Sequence, residues 1–243
     1  MGATTFARCA AGRGVDRDEL DLFAPFRRAI AEGADGIEAR ARLSADGKLV
    51  LAEEESYRRS LRQRSVAGTS ASQLSAAGIP SLADLHLAIA GAGELCLEVA
   101  DEPTARAVLA EVGSIDRGGR LWLRSPDRDM LFKIRAAAPG VRLVHDLARR
   151  AYGDTLERHL ADLAGGSLDG LSMRAGEWSL GLTSLVHRFG LLAYGSQARE
   201  ERHLRNLVAA SVDAIASTAV DRLVAIVSSP PARPGAPSTP QSG

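Results

Sequence analysis

Few side chains in this sequence can move a proton near neutral pH or hold an anion, and their spacing limits what they can do. Glu38, Glu53 and Glu98 are candidate general acids or bases, and His145-Asp146 reads either as an acid–base pair or as a structural pair on a loop. Arg8, Arg40, Arg124 and Arg174 read either as a pocket for a phosphate or carboxylate or as salt-bridged surface groups. Tyr194 and Gln197 add neutral hydrogen-bonding groups. Glu38 and Arg40 stand two residues apart, so on an extended chain they point to one side with Cα atoms about 6.5 Å apart, and they are expected to pair. Cys9 offers a thiol nucleophile, yet no histidine lies near it in sequence, and a packed small residue is the simpler reading. Glu53-Glu54-Glu55 reads as a solvated charge run whose first member can face a pocket.

The elements that must position these groups show first between residues 33 and 53. Ile37, Ala39, Ala41 and Leu43 alternate with Glu38, Arg40 and Arg42, the period of a strand with unlike faces. Asp46-Gly47 then supplies the positive torsions of a two-residue hairpin turn. Short apolar segments recur at 4–6, 37–43 with hairpin partner 49–51, 95–99, 121–123, 141–144, 168–173, 191–194 and 212–216. Amphipathic stretches separate them, the first carrying Leu22, Phe23, Phe26 and Ile30, the rest near 81–91, 103–112, 127–137, 154–164, 177–188, 198–210 and 219–227. Ser81 and the Ser125-Pro126-Asp127 run suit helix starts, and Gly190 a helix end.

Strands alternating with helices imply a parallel sheet, and eight of each imply closure into a single-domain (β/α)8 TIM barrel over residues 1–227, with a β-hairpin extension on strand 2. The 243 residues suit such a barrel, which takes about 250. In a barrel the chemistry belongs at the C-terminal ends of the strands, where Arg8, Glu38, Arg40, Glu53, Glu98, Arg124, His145, Arg174, Tyr194 and Gln197 are expected. His86, His159, His187 and His203 fall within expected helices, facing solvent or completing packing. Residues 228–243, rich in Pro, Ser and Gly, are expected to form a disordered tail.

Composition narrows the function further. Thirty basic and thirty acidic residues cancel, so neither nucleic acid nor an anionic membrane is attracted by the whole-molecule field. Only Lys48 and Lys133 among the basic residues are lysines, a compositional bias toward arginine that lowers the weight of any single one. Cys9 and Cys96 are too few for a disulfide framework. No stretch reads as a secretory signal, and no apolar run approaches the roughly 18 residues of a membrane span, so a soluble, unanchored, cytoplasmic protein is expected.

The 33–53 segment resembles the glycerophosphodiester phosphodiesterase family, whose motif runs Gly-Ala-Asp, Ile-Glu-x-Asp, Asp-Gly and His-Asp. Gly33-Ala34-Asp35, Ile37-Glu38 and Asp46-Gly47 match it, Arg40 stands where the family has a metal-binding aspartate, and Ala52-Glu53 replaces His-Asp. Ile79-Pro80-Ser81-Leu82, Leu97-Glu98-Val99-Ala100, Ser125-Pro126-Asp127 and Ser211-Val212-Asp213-Ala214-Ile215 are similar to later family segments, with Ala100 in place of a lysine. Tyr194-Gly195-Ser196-Gln197 resembles the family's Trp-Thr-Val-Asn, and Ser217-Thr218 its closing Thr-Asp.

The resemblance implies that Glu38 and Glu98 occupy two of three metal-ligand positions, with Arg40 at the third. It further implies two catalytic histidines, yet no histidine precedes His86, and Arg8-Cys9-Ala10 or Gly12-Arg13-Gly14 stands for the first motif. A guanidinium adds positive charge and no oxygen ligand, so Arg40 is expected to take over the metal's role by bridging Glu38 and Glu98. No cofactor is then expected; a divalent cation, Ca2+ or Mg2+, belongs only with a retained ancestral site. The expected function is a catalytically degenerate member, a pseudoenzyme of a phosphoric diester hydrolase family of lipid metabolism, binding a small phosphorylated or acidic molecule. The alternatives are an active phosphoric diester hydrolase, a metal-independent enzyme at the same mouth, and a protein-interaction role through exposed helices.

Overall fold

The computed structural model describes residues 2–8, 23–59, 62–89, 91–113, 120–147 and 155–228. Eight parallel strands close on themselves: β1 (Thr4–Arg8), β2 (Gly36–Leu43), β6 (Glu94–Glu98), β7 (Leu121–Ser125), β8 (Arg142–Asp146), β9 (Gly170–Arg174), β10 (Leu192–Ala198) and β11 (Ala214–Ser217), with β11 returning to β1. The short β3 (Leu49–Leu51) lies antiparallel on the far end of β2, as the Asp46-Gly47 turn requires. Helices α1 (Ala24–Ala31), α3 (Leu82–Ala88), α4 (Glu102–Gly113), α5 (Arg128–Arg135), α6 (Leu156–Gly165), α7 (Leu180–Arg188), α8 (Glu201–Ala209) and α9 (Val220–Ser228) fill the intervals. The expected (β/α)8 barrel with its hairpin is therefore present. No described helix is long and apolar enough to cross a membrane.

Two elements were not anticipated: a hairpin of β4 (Ser56–Arg59) with β5 (Arg62–Ser65), and the short α2 (Ala71–Ser75). Residues 229–243, Cys9 and Gly12-Arg13-Gly14 lie outside the described residues, and α9 runs through Ser228, where the tail was expected to begin.

Local chemistry sets the boundaries. Ser81, Asp127, Thr155 and Ser179 each accept a backbone N–H from the first turn of the helix that follows. At three helix ends the chain turns through a positive φ, at Gly33, Ser167 and Ser211, and two residues later reaches an aspartate just before a strand. Asp35 accepts from Thr5 N at 2.8 Å, Asp169 from Leu143 N at 2.7 Å and Asp213 from Ala193 N at 2.7 Å. Each latches its own strand to the neighbour, so the Gly-Ala-Asp motif serves barrel closure. Gly36 is required by contact: a Cβ there would lie 2.4 Å from the Glu94 carbonyl oxygen and 2.8 Å from the Phe6 ring.

Candidate functional site

Inside the barrel the side chains alternate, and one parity of every strand points to the axis. Phe6, Cys96, Trp122, Val144, Tyr194, Ala214 and Ala216 form a central apolar cluster. Its three aromatic rings pack with centroids 5.5, 5.8 and 6.1 Å apart and make a floor. One step along β1, β2, β6, β7 and β8, on the same parity, the chain places charge instead: Arg8, Glu38, Arg40, Glu98, Arg124 and Asp146.

Strand register alternates the signs. Arg8 lies opposite Glu38, Arg40 opposite Glu98, and Glu98 opposite Arg124. Arg8 donates to Glu38 Oε1, to Glu53 at 2.6 Å and to Glu98 at 3.5 Å. Arg124, 1% exposed, forks between Glu38 Oε2 and Glu98 Oε2, each at 3.2 Å, and stands 3.8 Å from Asp146. Its guanidinium also lies over the Tyr194 ring, 5.1 Å from the centroid. Tyr194 donates its hydroxyl to Glu38 Oε2 at 2.5 Å and contacts Cys96 Sγ at 3.5 Å.

The expected Glu38–Arg40 pair does not form, and Arg40 does not bridge Glu38 to Glu98. Arg40 donates to Glu98 Oε1 and, at 3.0 Å, to the Glu53 carbonyl, while Glu38 is held by Arg8, Arg124 and Tyr194. Adjacent strands lie about 4.8 Å apart, closer than two residues along one strand, so cross-strand partners win. Arg8 and Arg124 are the bridges. Arg42, on the parity of Glu38 and Arg40, extends the set by donating to the carbonyls of Ala52 and Glu53 at 3.1 and 3.3 Å. That shared parity was the signal that could have identified it.

Burial works against every charge here, and the partners decide the outcome. It is the largest influence on the Arg8 and Arg124 guanidiniums and presses them toward neutrality, but Glu38 together with Glu53 at Arg8, and Glu38 together with Asp146 at Arg124, outweighs it and holds both above their ordinary range. Burial would lift the Glu98 carboxyl, yet Arg124, Arg40 and Arg8 keep it below the usual carboxylate range. The Tyr194 hydroxyl is raised by burial and by the neighbouring Cys96 and Glu38, and the Cys96 thiol is pushed up to about 12 by burial and Glu38. Neither is a nucleophile at neutral pH.

Glu38 and Glu98 are the carboxylates positioned to hold a cation, and all four of their oxygens accept from guanidiniums or Tyr194. Among the described residues no group of three or more His, Cys, Asp or Glu side chains is arranged to hold a metal ion. A divalent cation needs several oxygens undisputed by positive charge, so this donor set does not fit one.

The remaining candidates scatter. Arg174 is exposed, outside the charge cluster. Gln197 sits in an irregularity of β10 with φ 58°, and helps line a recess of about 120 Å³ with Arg8, Glu53, Arg199, Ser217 and Thr218. His145 has the opposite parity from Val144 and Asp146, so it leaves the barrel for the helix layer. There its Nε2 meets the Pro126 carbonyl at 3.2 Å and its Nδ1 meets His159 Nε2 at 3.2 Å. Burial and His159 push His145 down to about 4, and Asp146 turns inward to Ser172 and Arg124. His145 is thus not a mouth acid or base. His187 pairs with Asp213 at 2.8 Å. Ala52, where the resemblance places a histidine, is buried among Val50, Val66, Leu74 and Ile79.

No protein-family model matches the chain, and no curated protein matches it in sequence. Solved structures do match in fold. A putative glycerophosphoryl diester phosphodiesterase from Silicibacter pomeroyi superposes with a TM-score of 0.79 at 18% identity, over 93% of each chain. The glycerophosphodiester phosphodiesterase of Thermotoga maritima gives 0.76 at 19% identity, covering 93% of this chain and 99% of the other. An Oleispira antarctica phosphodiesterase in complex with the product sn-glycerol-3-phosphate gives 0.75 at 17% identity, over 94% and 98%. The chain has the fold of the glycerophosphodiester phosphodiesterases, as the motifs at 33–53 implied.

Proposed function

We propose that this chain is a catalytically degenerate glycerophosphodiester phosphodiesterase-like barrel, cytoplasmic and without a resident cation, that binds a small phosphorylated or acidic molecule at its mouth. The observation that carries this reading is the commitment of every oxygen of Glu38 and Glu98 to Arg8, Arg40, Arg124 or Tyr194. A carboxylate whose two oxygens are both engaged by guanidiniums or a hydroxyl has no free oxygen to offer a metal or a reacting group. His145 faces away from the axis, and Ala52 is a packing residue.

The guanidiniums suit anion capture better than hydrolysis. Glu53 is the least buried of the three glutamates in the cluster, with 19% of its side chain exposed against 0% for Glu38 and 11% for Glu98. An incoming phosphate exchanges for Glu53 on Arg8 Nη2, while Nη1 stays on Glu38, with Gln197 on the same recess supplying an amide. Arg40 and Arg124 hold the floor of that site by fixing Glu98. A phosphoric acid monoester of the size of sn-glycerol-3-phosphate is the ligand class this geometry favours.

Two measurements on the full chain test this. Thermal unfolding with added sn-glycerol-3-phosphate should rise in midpoint, because a ligand of the folded state stabilises it. Hydrolysis of glycerophosphocholine with Mg2+, Ca2+ or Mn2+ should show no turnover above the buffer rate; metal-dependent turnover abolished by Glu38→Gln would overturn the reading in favour of an active phosphoric diester hydrolase. The metal-independent alternative needs an unpaired glutamate at the mouth, and Glu38, Glu53 and Glu98 are each ion-paired.

A further inference from the structure

A neutral total hides one strongly segregated patch. The unanticipated β4–β5 hairpin carries Arg58, Arg59, Arg62 and Arg64 and no acidic residue. All four arginines are exposed, and among the described residues none makes an ion pair. Most of the other described arginines find carboxylates, on helices as at Arg106–Glu102 and Arg205–Glu201 or in the barrel. Register sharpens the contrast: Arg59 lies directly opposite Arg62, and Tyr57 opposite Arg64. Like charges directly opposed on a two-stranded ribbon are destabilising, and among the described residues no carboxylate pairs with them.

The ribbon is firmly rooted. Tyr57 packs against the buried cluster of Val50, Ala52, Val66, Leu74 and Ile79, and Val66 N donates to the Glu55 carbonyl at 2.9 Å. From Glu55 at that root, four residues at about 3.3 Å each carry Arg59 and its partner Arg62 about 13 Å outward, with Arg58 one step nearer and Arg64 level with Tyr57. One face presents Arg59, Arg62 and Arg64 beside Tyr57, whose ring seats the base of that face on the buried cluster; Arg58 shares the other with Gln63.

We propose that the β4–β5 ribbon docks the protein reversibly on an anionic phospholipid bilayer. Cations on both faces of a protruding ribbon match a headgroup layer, which surrounds what enters it, better than the flat face of a folded protein partner. Nucleic acid is disfavoured by the root. Exposed Glu54 and Glu55 stand there, where the phosphate ridges of a groove about 8.5 Å deep would flank a ribbon of this length. Against a bilayer the same glutamates stay about 13 Å behind Arg59 and Arg62, the outermost described pair, farther than the Debye length of about 8 Å at physiological salt. Tyr57, the ribbon's aromatic residue, packs inward and offers no platform for stacked bases. This proposal does not depend on what the barrel mouth binds.

Co-sedimentation of the full chain with vesicles tests it directly, using phosphatidylcholine alone and phosphatidylcholine mixed with phosphatidylserine. The chain should sediment with the phosphatidylserine vesicles only, and salt should release it. Each guanidinium removed should weaken binding about five-fold, so Arg59→Gln with Arg62→Gln costs about thirty-fold and R58Q/R59Q/R62Q/R64Q abolishes it. The double variant should melt no lower than the parent, since it removes a like-charge pair, which separates lost docking from lost fold. Equal binding to both vesicles, undiminished binding by the quadruple variant, or tighter binding to duplex DNA than to phosphatidylserine vesicles would overturn the proposal, the last by reassigning the ribbon to nucleic acid.

Discussion

Arg124 and Glu38 meet inside the barrel at 3.2 Å with 2% and 0% of their side chains exposed. Two such groups leave water at a cost of several kcal/mol each, and their attraction offsets it only while both are present. Arg124→Gln strands Glu38 with the help of Arg8 and Tyr194 alone, and should destabilise the fold by about 3–5 kcal/mol in urea titration. The double variant with Glu38→Gln should lose less than the sum of the two singles, a coupling expected only of partners.

Acid should weaken the protein before it reaches the ordinary carboxylate range. His145 is held at about 4 by burial and His159, against an ordinary 6.5, so between these values the unfolded chain binds a proton that the folded chain does not. Its contribution is present above pH 6.5 and is lost as pH falls toward 4, by about 3 kcal/mol in all. Glu98, held low by guanidiniums despite burial, adds a loss of the same sign at still lower pH. Denaturation midpoints measured from pH 7.5 to 4.5 should fall for the parent and fall less for His145→Gln; parallel curves would remove His145 from the account.

The barrel was legible because alternation within strands and amphipathic spacing within helices are local signals. The β4–β5 hairpin was not, since its exposed arginines bury no face and leave no period of two. Partner choice at the site was misread for a related reason: spacing along one strand pairs Glu38 with Arg40, whereas the register that sets Arg8 against Glu38 exists only once the barrel closes. His145 was misplaced because Leu143 and Val144 are both apolar, and a parallel strand buried on both faces does not announce which parity faces the axis. The match of Asp35 to the family motif was visible, but its work as a latch on Thr5 was not.

That latch makes a separate prediction. Asp35 accepts from both the backbone N–H and the hydroxyl of Thr5, at 2.8 and 2.7 Å, and Thr5 is 3% exposed. Asp35→Ala leaves a buried N–H unsatisfied at the seam between β1 and β2, which should cost about 1–3 kcal/mol. Asp169→Ala and Asp213→Ala should cost comparable amounts at their own seams, and amide exchange should quicken first at Thr5, Leu143 and Ala193 respectively. A global loss with no local increase at those amides would mean that the aspartates act otherwise.

Ligand capture at the mouth predicts a different pattern from either fold or ribbon. If a phosphate ester exchanges for Glu53 on Arg8, saturating sn-glycerol-3-phosphate at about 100 times its dissociation constant should add about 2.7 kcal/mol, a rise of about 5–10 °C in midpoint for a chain of this length. Glu53→Gln weakens the internal competitor for Arg8 and should enlarge the shift at limiting ligand, whereas Arg8→Gln should erase it. Arg58→Gln, on the ribbon, should leave it unchanged. A shift that survives Arg8→Gln would place the anion elsewhere, and one that shrinks in Glu53→Gln would mean that Glu53 binds the ligand rather than competing with it.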